Sequence, residues 1–257
     1  MKCASAVLGT RSQPAGRRAR AAPCKFFAFL YDQAEQSTDS QAPADCCSIN
    51  MTSFSQLVRR LRYGKPIVVV SGLPRSGTSM AMKMLEGGGI PILADGIRTA
   101  DISNPKGYYE FERVKELDKG GDVAWLAEAR GKAVKIISFL LTWLPETYDY
   151  RVIFMQRDLR EVLASQNAML AHRGEVPGAA DDEQMLRMYE DHLQKVARFM
   201  ANRSCFATLS VDYRAVVQNP LDAAGRINRF LGGTLDVERM AAIADPALYR
   251  NRRKTED

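Results

Sequence analysis

The chain has 257 residues, 46% hydrophobic and 26% charged, which is the composition of an ordinary globular protein with one substantial core. Its formal net charge of +6 suits an anionic ligand, but no nucleic-acid motif accompanies the basic residues, so we expect no nucleic-acid partner. No stretch has the apolar length of a membrane span, and the five cysteines form neither a disulfide framework nor a zinc pattern, so we expect a cytoplasmic protein without a transmembrane segment.

Residues 1–50 differ in character from the rest of the chain. They begin basic and free of acidic residues, continue through Ala/Pro/Ser-rich sequence and show no sustained period. This composition favours a disordered extension, or a natural start at Met51, and an organelle-targeting peptide is the alternative. We therefore expect one α/β domain over residues 51–257.

Strands and helices are predicted to alternate along this domain, which argues for a parallel β-sheet flanked by helices. The strand over residues 150–155 is apolar on both faces and is therefore predicted to be central. In such a sheet a ligand binds beyond the carboxyl ends of the strands. The predicted strands cover residues 67–71, 90–93, 132–138, 150–155 and 206–211, and the predicted helices cover 54–62, 78–86, 181–202 and 222–231, with a further helix starting at Asp158.

The loop after the first strand has the pattern of a phosphate cradle. The strand ends at Gly72, a second glycine follows at Gly77, and a helix begins directly after it, so that backbone N–H groups and the positive end of a helix face one point. A Walker A loop has Gly-Lys-Ser/Thr here, whereas this chain has Gly77-Thr78-Ser79 and carries its basic group earlier, at Arg75. The loop therefore predicts an anion site that is not built for ATP or GTP hydrolysis.

Three stretches together resemble the sulfotransferase family that uses 3′-phosphoadenosine-5′-phosphosulfate (PAPS). The first is the loop over residues 72–79, whose Pro-Arg-Ser-Gly-Thr is similar to the 5′-phosphosulfate loop of bacterial-type members. The second is a strand that ends on Arg157, with Ser165 eight residues later in the next helix, which resembles the family's 3′-phosphate site. The third and weakest begins at Tyr213 and closes on Phe-Leu-Gly.

The resemblance implies a single P-loop domain of the sulfotransferase type that binds PAPS, releases adenosine 3′,5′-bisphosphate (PAP) and uses no metal. Two anions at opposite ends of one adenosine need two cationic sites on one sheet edge, and guanidinium groups bind phosphate oxygens in pairs. An ion pair between Arg157 and a nearby acid, Asp158 or Glu161, is the alternative interpretation of that arginine. The cofactor-binding residues that the resemblance implies are Pro74, Arg75, Ser76, Gly77, Thr78, Ser79, Arg157 and Ser165.

The general base is the part of the family pattern from which this chain departs. The cytosolic branch uses a Lys-x-His pair on the third strand, and this chain keeps the lysine as Lys135 but has Ile137 at the histidine position. Other branches use a glutamate, and we expect Glu110 to take this role, because its aromatic neighbours would make the carboxylate more basic. A surface or hydrogen-bonding role for Glu110 is the alternative. The other carboxylates that could serve are Glu112, Asp95 and Asp101.

The predicted reaction is in-line transfer of a sulfuryl group from PAPS to a hydroxyl or amine, with Arg75 and Glu110 as the catalytic residues. Charge accumulates on the leaving 5′-phosphate, so Arg75 is expected to stabilise the transition state. We expect the two histidines, His172 and His192, to be ordinary exposed side chains. Two alternatives stay open: a non-catalytic PAP-binding protein, and a P-loop small-molecule kinase, against which the missing lysine argues. The sequence leaves open the acceptor, a homo-oligomeric state and the role of the basic C-terminal tail.

Overall fold

The computed structural model describes residues 61–96, 109–172, 174 and 181–244. The predicted N-terminal extension, the loop carrying Asp101 and the basic tail lie outside these ranges. Most of the predicted helix over residues 54–62 lies outside them too, although residues 61–63 are helical. No helix within the described ranges combines the length and the apolar character that a membrane span requires.

Within the described residues, four parallel strands form one sheet: β1 Ile67–Gly72, β2 Ala133–Lys135, β3 Tyr150–Gln156 and β4 Phe206–Asp212. Their order is β2-β1-β3-β4, so β1 and β3 are central. Because every pairing is parallel, the carboxyl ends of all four strands lie along one edge of the sheet. The predicted parallel α/β fold and the central position of the strand at residues 150–156 are confirmed.

Helices connect the strands and cover both faces of the sheet. The predicted helices over residues 78–86, 181–202 and 222–231 are confirmed to within two residues at each end. The sequence does not predict the short helices at Trp125–Glu128, Tyr213–Gln218 and Val237–Ile243, because helices of four to seven residues depend on tertiary packing for their stability. The described helices are α1 Thr78–Gly87, α2 Trp125–Glu128, α3 Leu159–His172, α4 Asp182–Ala201, α5 Tyr213–Gln218, α6 Pro220–Leu231 and α7 Val237–Ile243, with 3-10 helices at Glu112–Lys119 and Ser138–Trp143.

Two predicted strands are wrong in extent. The strand expected over residues 132–138 ends at Lys135, because the chain leaves the sheet after the Ile136 amide donates to the Val70 carbonyl, and a 3-10 helix begins two residues later. The strand expected over residues 90–93 is a single bridge between Ile92 and Ala133. It is flanked by hydrogen bonds from Ala133 N to Pro91 O and from Leu93 N to Ala133 O. A proline in this segment removes one ladder donor, and the neighbouring β2 has only three residues with which to pair.

The sheet separates two hydrophobic clusters. Val68 and Val70 point to a cluster with α1, α6 and α7, whereas Ile67 and Val69 point to the opposite cluster with α2 and the two 3-10 helices. A third cluster places Leu73, the first residue after β1, against α3 and α4. Since Leu73 is buried, it anchors the start of the loop that follows β1.

The first helix is held between the sheet and α7. Its predicted apolar residues Met80, Met84 and Leu85 are buried in the first cluster. The helix ends before its cap Gly88, where a Cβ atom would lie 2.8 Å from the side chain of Met240 in α7. The glycine run therefore ends the helix, as predicted, and also lets α7 pack closely against it.

Candidate anion-binding site

The loop between β1 and α1 folds back tightly on the end of β3. Gly72 has φ +147°, and a Cβ atom there would lie 2.5 Å from Ser76 Oγ and 2.6 Å from the Met155 carbonyl oxygen. The Ser76 amide donates to the Leu73 carbonyl at 3.1 Å and closes the turn. Only glycine fits this position, since the turn leaves no room for a side chain.

The loop carries hydrogen-bond donors suited to an anion. Ser76 is 1% exposed, and its hydroxyl has no hydrogen-bond partner among the described residues. The ten-residue helix α1 begins at Thr78, and its cap Gly77 supplies no side chain to the first amides. A buried hydroxyl without a partner beside the N-terminus of a helix is an arrangement that binds phosphate or sulfate oxygens.

Arg75 adopts a conformation that non-glycine residues rarely take. Its φ is +72°, in the left-handed region, where a non-glycine residue is strained by about 1–3 kcal/mol. Its Nε donates to Ser165 Oγ of α3 at 3.1 Å. The structure therefore joins the two groups that the sequence assigned to opposite ends of the nucleotide.

Arg157 follows the end of β3 and is held on several sides. Its Nη1 donates to the Arg75 carbonyl at 3.2 Å, and its Nε donates to Glu161 Oε2 at 3.0 Å. The two side chains of this ion pair are 9% and 6% exposed. The ion pair that stood as the alternative interpretation is thus present. Asp158, the other acid considered, caps α3 by accepting from the Arg160 and Glu161 amides.

Tyr213 is a site residue to which the sequence assigned no role. It begins α5 directly after β4, and the guanidinium carbon of Arg157 lies 4.7 Å from the centre of its ring. The ring also fills the space beside Gly77, where a Cβ atom would lie 2.9 Å from Cε2. A signal was available, because Tyr213 follows a strand end at the same sheet edge as Arg157.

Glu110 lies in a charged cluster at the carboxyl end of β2. Its carboxylate oxygens lie 4.0 Å from Lys135 Nζ and 3.5 Å from Lys115 Nζ, and its side chain is 18% exposed. The prediction that Glu110 has apolar surroundings is therefore wrong. Phe111 packs edge-on against Trp125 instead, with ring centres 5.3 Å apart. The structure does bring together Glu110, the expected base, and Lys135, the lysine that this chain keeps from the family's Lys-x-His pair.

Two of the other candidate carboxylates, Asp95 and Glu112, have structural partners. Asp95 accepts from the Glu112 amide at 2.5 Å, and its own amide donates to the Glu110 carbonyl. Glu112 pairs with Lys115 at 2.7 Å. Nowhere in the described ranges do His, Cys, Asp and Glu side chains group closely enough to hold a metal ion.

His192 is not the ordinary exposed side chain that the sequence predicts. Its imidazole stacks on Phe139 with ring centres 3.7 Å apart, and its Nε2 lies 2.9 Å from Ser138 Oγ. Burial, with a smaller contribution from the nearby Lys195 ammonium, lowers the pKa of His192 to about 4. His172, at the end of α3, is exposed as predicted.

We expect acid to destabilise the protein through His192. Its pKa is lowered from 6.5 to about 4 in the folded protein, so unfolding takes up a proton at pH values between these two. The free energy of unfolding should therefore fall as the pH drops through this range, and this group should contribute no pH dependence above about pH 7. Urea titrations of the wild type and His192→Gln, at about pH 7.5 and about pH 5, measure this contribution. Equal pH dependence in the two proteins would contradict it.

Comparisons with known proteins give fold neighbours of low similarity. No family model matches the sequence, and no curated protein matches it. Mouse sulfotransferase SULT7A1 complexed with PAP has a TM-score of 0.46 at 17% identity, over 76% of this chain and 69% of that chain. The sulfotransferase domain from the curacin biosynthetic pathway has 0.43 at 13%, over 74% and 92%. Retinol dehydratase in complex with androsterone and inactive cofactor PAP has 0.41 at 15%, over 74% and 67%.

Proposed function

We propose that this protein is a PAPS-dependent sulfotransferase that transfers a sulfuryl group to a hydroxyl or amine. The observation that carries the proposal is the convergence of Arg75, Arg157 and Ser165 beside the loop after β1. Arg75 lies within 3.2 Å of Arg157 through its carbonyl and within 3.1 Å of Ser165 through its Nε. Two guanidinium groups and a hydroxyl on one sheet edge suit a nucleotide with phosphate groups at both ends.

The residues present fit the two ends of such a nucleotide. The Ser76 hydroxyl, the Arg75 guanidinium and the amides at the start of α1 would hold the 5′-phosphosulfate, because they form a cradle of donors without a Walker lysine. Arg157 and Ser165 would hold the 3′-phosphate. The loop residues Pro74, Gly77, Thr78 and Ser79 complete the proposed binding set.

In the proposed reaction the acceptor oxygen or nitrogen attacks the sulfur of PAPS, and the bond from sulfur to the 5′-phosphate oxygen breaks with its electron pair on that oxygen. Arg75 and the start of α1 would stabilise the negative charge that grows on the phosphate. Glu110 would accept the proton of the acceptor. Lys135, 4.0 Å from Glu110, would keep that carboxylate oriented at the carboxyl end of β2.

A non-catalytic PAP-binding protein is the second candidate. Ile137 stands where the cytosolic branch has its histidine, and two ammonium groups already contact Glu110. Both observations favour binding without proton transfer. A small-molecule kinase stays the third candidate, against which Thr78 at the Walker lysine position argues. The cytoplasmic location and the absence of a metal stay predictions.

Calorimetry and sulfate transfer separate these candidates. The full chain should bind PAP, and Arg157→Ala should weaken that binding, whereas Arg160→Ala, an exposed arginine three residues away, should not. Mg-ATP should bind weakly or not at all. Labelled sulfate from PAPS should then reach at least one member of a panel of sugars, phenols, lipids and peptides. Absence of PAP binding would overturn the proposal, PAP binding without transfer would favour the binding protein, and tight Mg-ATP binding would favour the kinase.

A further inference from the structure

We infer that Tyr213 couples the two ends of the nucleotide site, so that the chain discriminates a bisphosphate from either monophosphate. The inference rests on the proposed function and assigns to Tyr213 a positioning role that acts through Gly77 and Arg157. Three strand ends meet at this one ring: the loop after β1, the residue after β3 and the residue after β4.

The ring of Tyr213 is fixed in place. Its side chain is 4% exposed and packs in the first hydrophobic cluster with Met80 of α1 and Val216 of its own helix. Asp212 caps that helix by accepting from the Ala215 amide at 2.8 Å, which sets the backbone on which the ring stands. Because packing and a capped helix hold the ring, a displacement at one of its contacts is passed on to the other contact.

One edge of the ring supports the phosphate loop. At Gly77, φ is +98°, and a Cβ atom would lie 2.9 Å from Tyr213 Cε2 and closer still to Cδ2. Gly77 is the cap of α1, so the ring sets how closely the start of that helix approaches the end of β4. The 5′ half of the proposed site therefore rests on Tyr213.

The face of the same ring supports Arg157. The guanidinium carbon lies 4.7 Å from the centre of the phenol ring, so a cation–π contact holds it there. Glu161 holds the Nε edge of the guanidinium and the Arg75 carbonyl holds Nη1. The ring lies against the face of the guanidinium, and so it adds a contact perpendicular to these two in-plane hydrogen bonds. The 3′ half of the proposed site therefore rests on Tyr213 as well.

A nucleotide with two phosphates is more sensitive to this arrangement than one with a single phosphate. A monophosphate can shift within the site to follow a tilted guanidinium or a displaced loop. A bisphosphate is pinned at its other end and cannot follow, so its affinity falls by more when the ring is removed. The expected signature is selective loss of bisphosphate affinity.

Calorimetry on the full chain tests the inference with three probes: PAP, adenosine 5′-monophosphate and adenosine 3′-monophosphate. Tyr213→Leu, which removes the ring, should weaken PAP about tenfold and each monophosphate no more than about twofold. Tyr213→Phe keeps the ring and should keep the wild-type ratio between the affinities for PAP and for each monophosphate. If Tyr213→Leu does not fold, Tyr213→Met, which also removes the ring but leaves a longer apolar side chain in its place, should show the same selective loss.

Equal weakening of all three probes by a folded Tyr213→Leu or Tyr213→Met variant would overturn the inference, because a merely structural residue would act that way. Unchanged PAP affinity in either of these variants, once folded, would overturn it too. If wild-type protein binds both monophosphates but not PAP, the coupling is refuted together with the proposed function. If the wild type binds PAP and the variants lose no selectivity, the proposed function stands and the role of Tyr213 is wrong.

Discussion

Replacing Arg75 with alanine is expected to lower the rate of sulfuryl transfer by about 10²–10³, the usual cost of removing a group that stabilises charge in a transition state. Arg75 lies in the loop that closes over the start of α1, and its left-handed backbone holds it beside Ser165 and Arg157. The rate of PAP formation from PAPS measures the effect, in the presence of the first acceptor that the labelled-sulfate panel identifies.

A control substitution at a second arginine tests whether the loss of rate is specific to Arg75. Arg160 lies on α3, is 61% exposed and pairs with Glu183, so Arg160→Ala removes the same charge from the chain without touching the site. It should leave the rate within about twofold of wild type, since exposed ion pairs contribute little. An Arg75→Ala protein that binds PAP and turns over like the wild type would rule out the proposed role of Arg75.

Replacing Glu161 with alanine is expected to lower the free energy of unfolding by about 3–5 kcal/mol, because it leaves the buried Arg157 guanidinium without its charged partner. The two side chains are 9% and 6% exposed, and their atoms lie 3.0 Å apart. Urea titration of wild type and variant measures the loss.

The control for Glu161 is Glu183, the acid of an exposed pair that joins α3 and α4. Glu183 is 54% exposed and lies 3.0 Å from Arg160, so the distance within the pair matches and its burial differs. Glu183→Ala should cost no more than about 1 kcal/mol. If the two alanine variants lose the same stability, burial of the Arg157–Glu161 pair does not matter to the fold.

The arrangement of strands and helices could be predicted because each element is a local pattern. The apolar run of β1, the period of α4 and the glycines around the loop each express a preference of nearby backbone. The predicted lengths of two strands were wrong, because pairing with a neighbouring segment sets where a strand ends. The chain leaves the sheet after Lys135, so β2 has only three residues, and the segment at residues 90–93 pairs with it through a single bridge.

The sequence names candidate site residues but not the contacts between them. Arg75, Arg157 and Ser165 could be named from motif and spacing. Their pairing could not, because Arg75 meets Ser165 across 90 positions of the chain and Arg157 meets Arg75 across 82. The same holds for Glu110, whose ammonium partner Lys135 comes from β2.

By itself, the sequence determined the parallel α/β class, the glycines that shape the loop and the cations that follow two strand ends. Only the tertiary structure decided the partners of two side chains. Arg157 lies against the ring of Tyr213 and pairs with Glu161, and His192 stacks on Phe139. The physical reason is the distance along the chain over which each interaction acts. Backbone preference and hydrophobic period act over a few residues, whereas the partner of a buried charge depends on how distant strand ends are packed together.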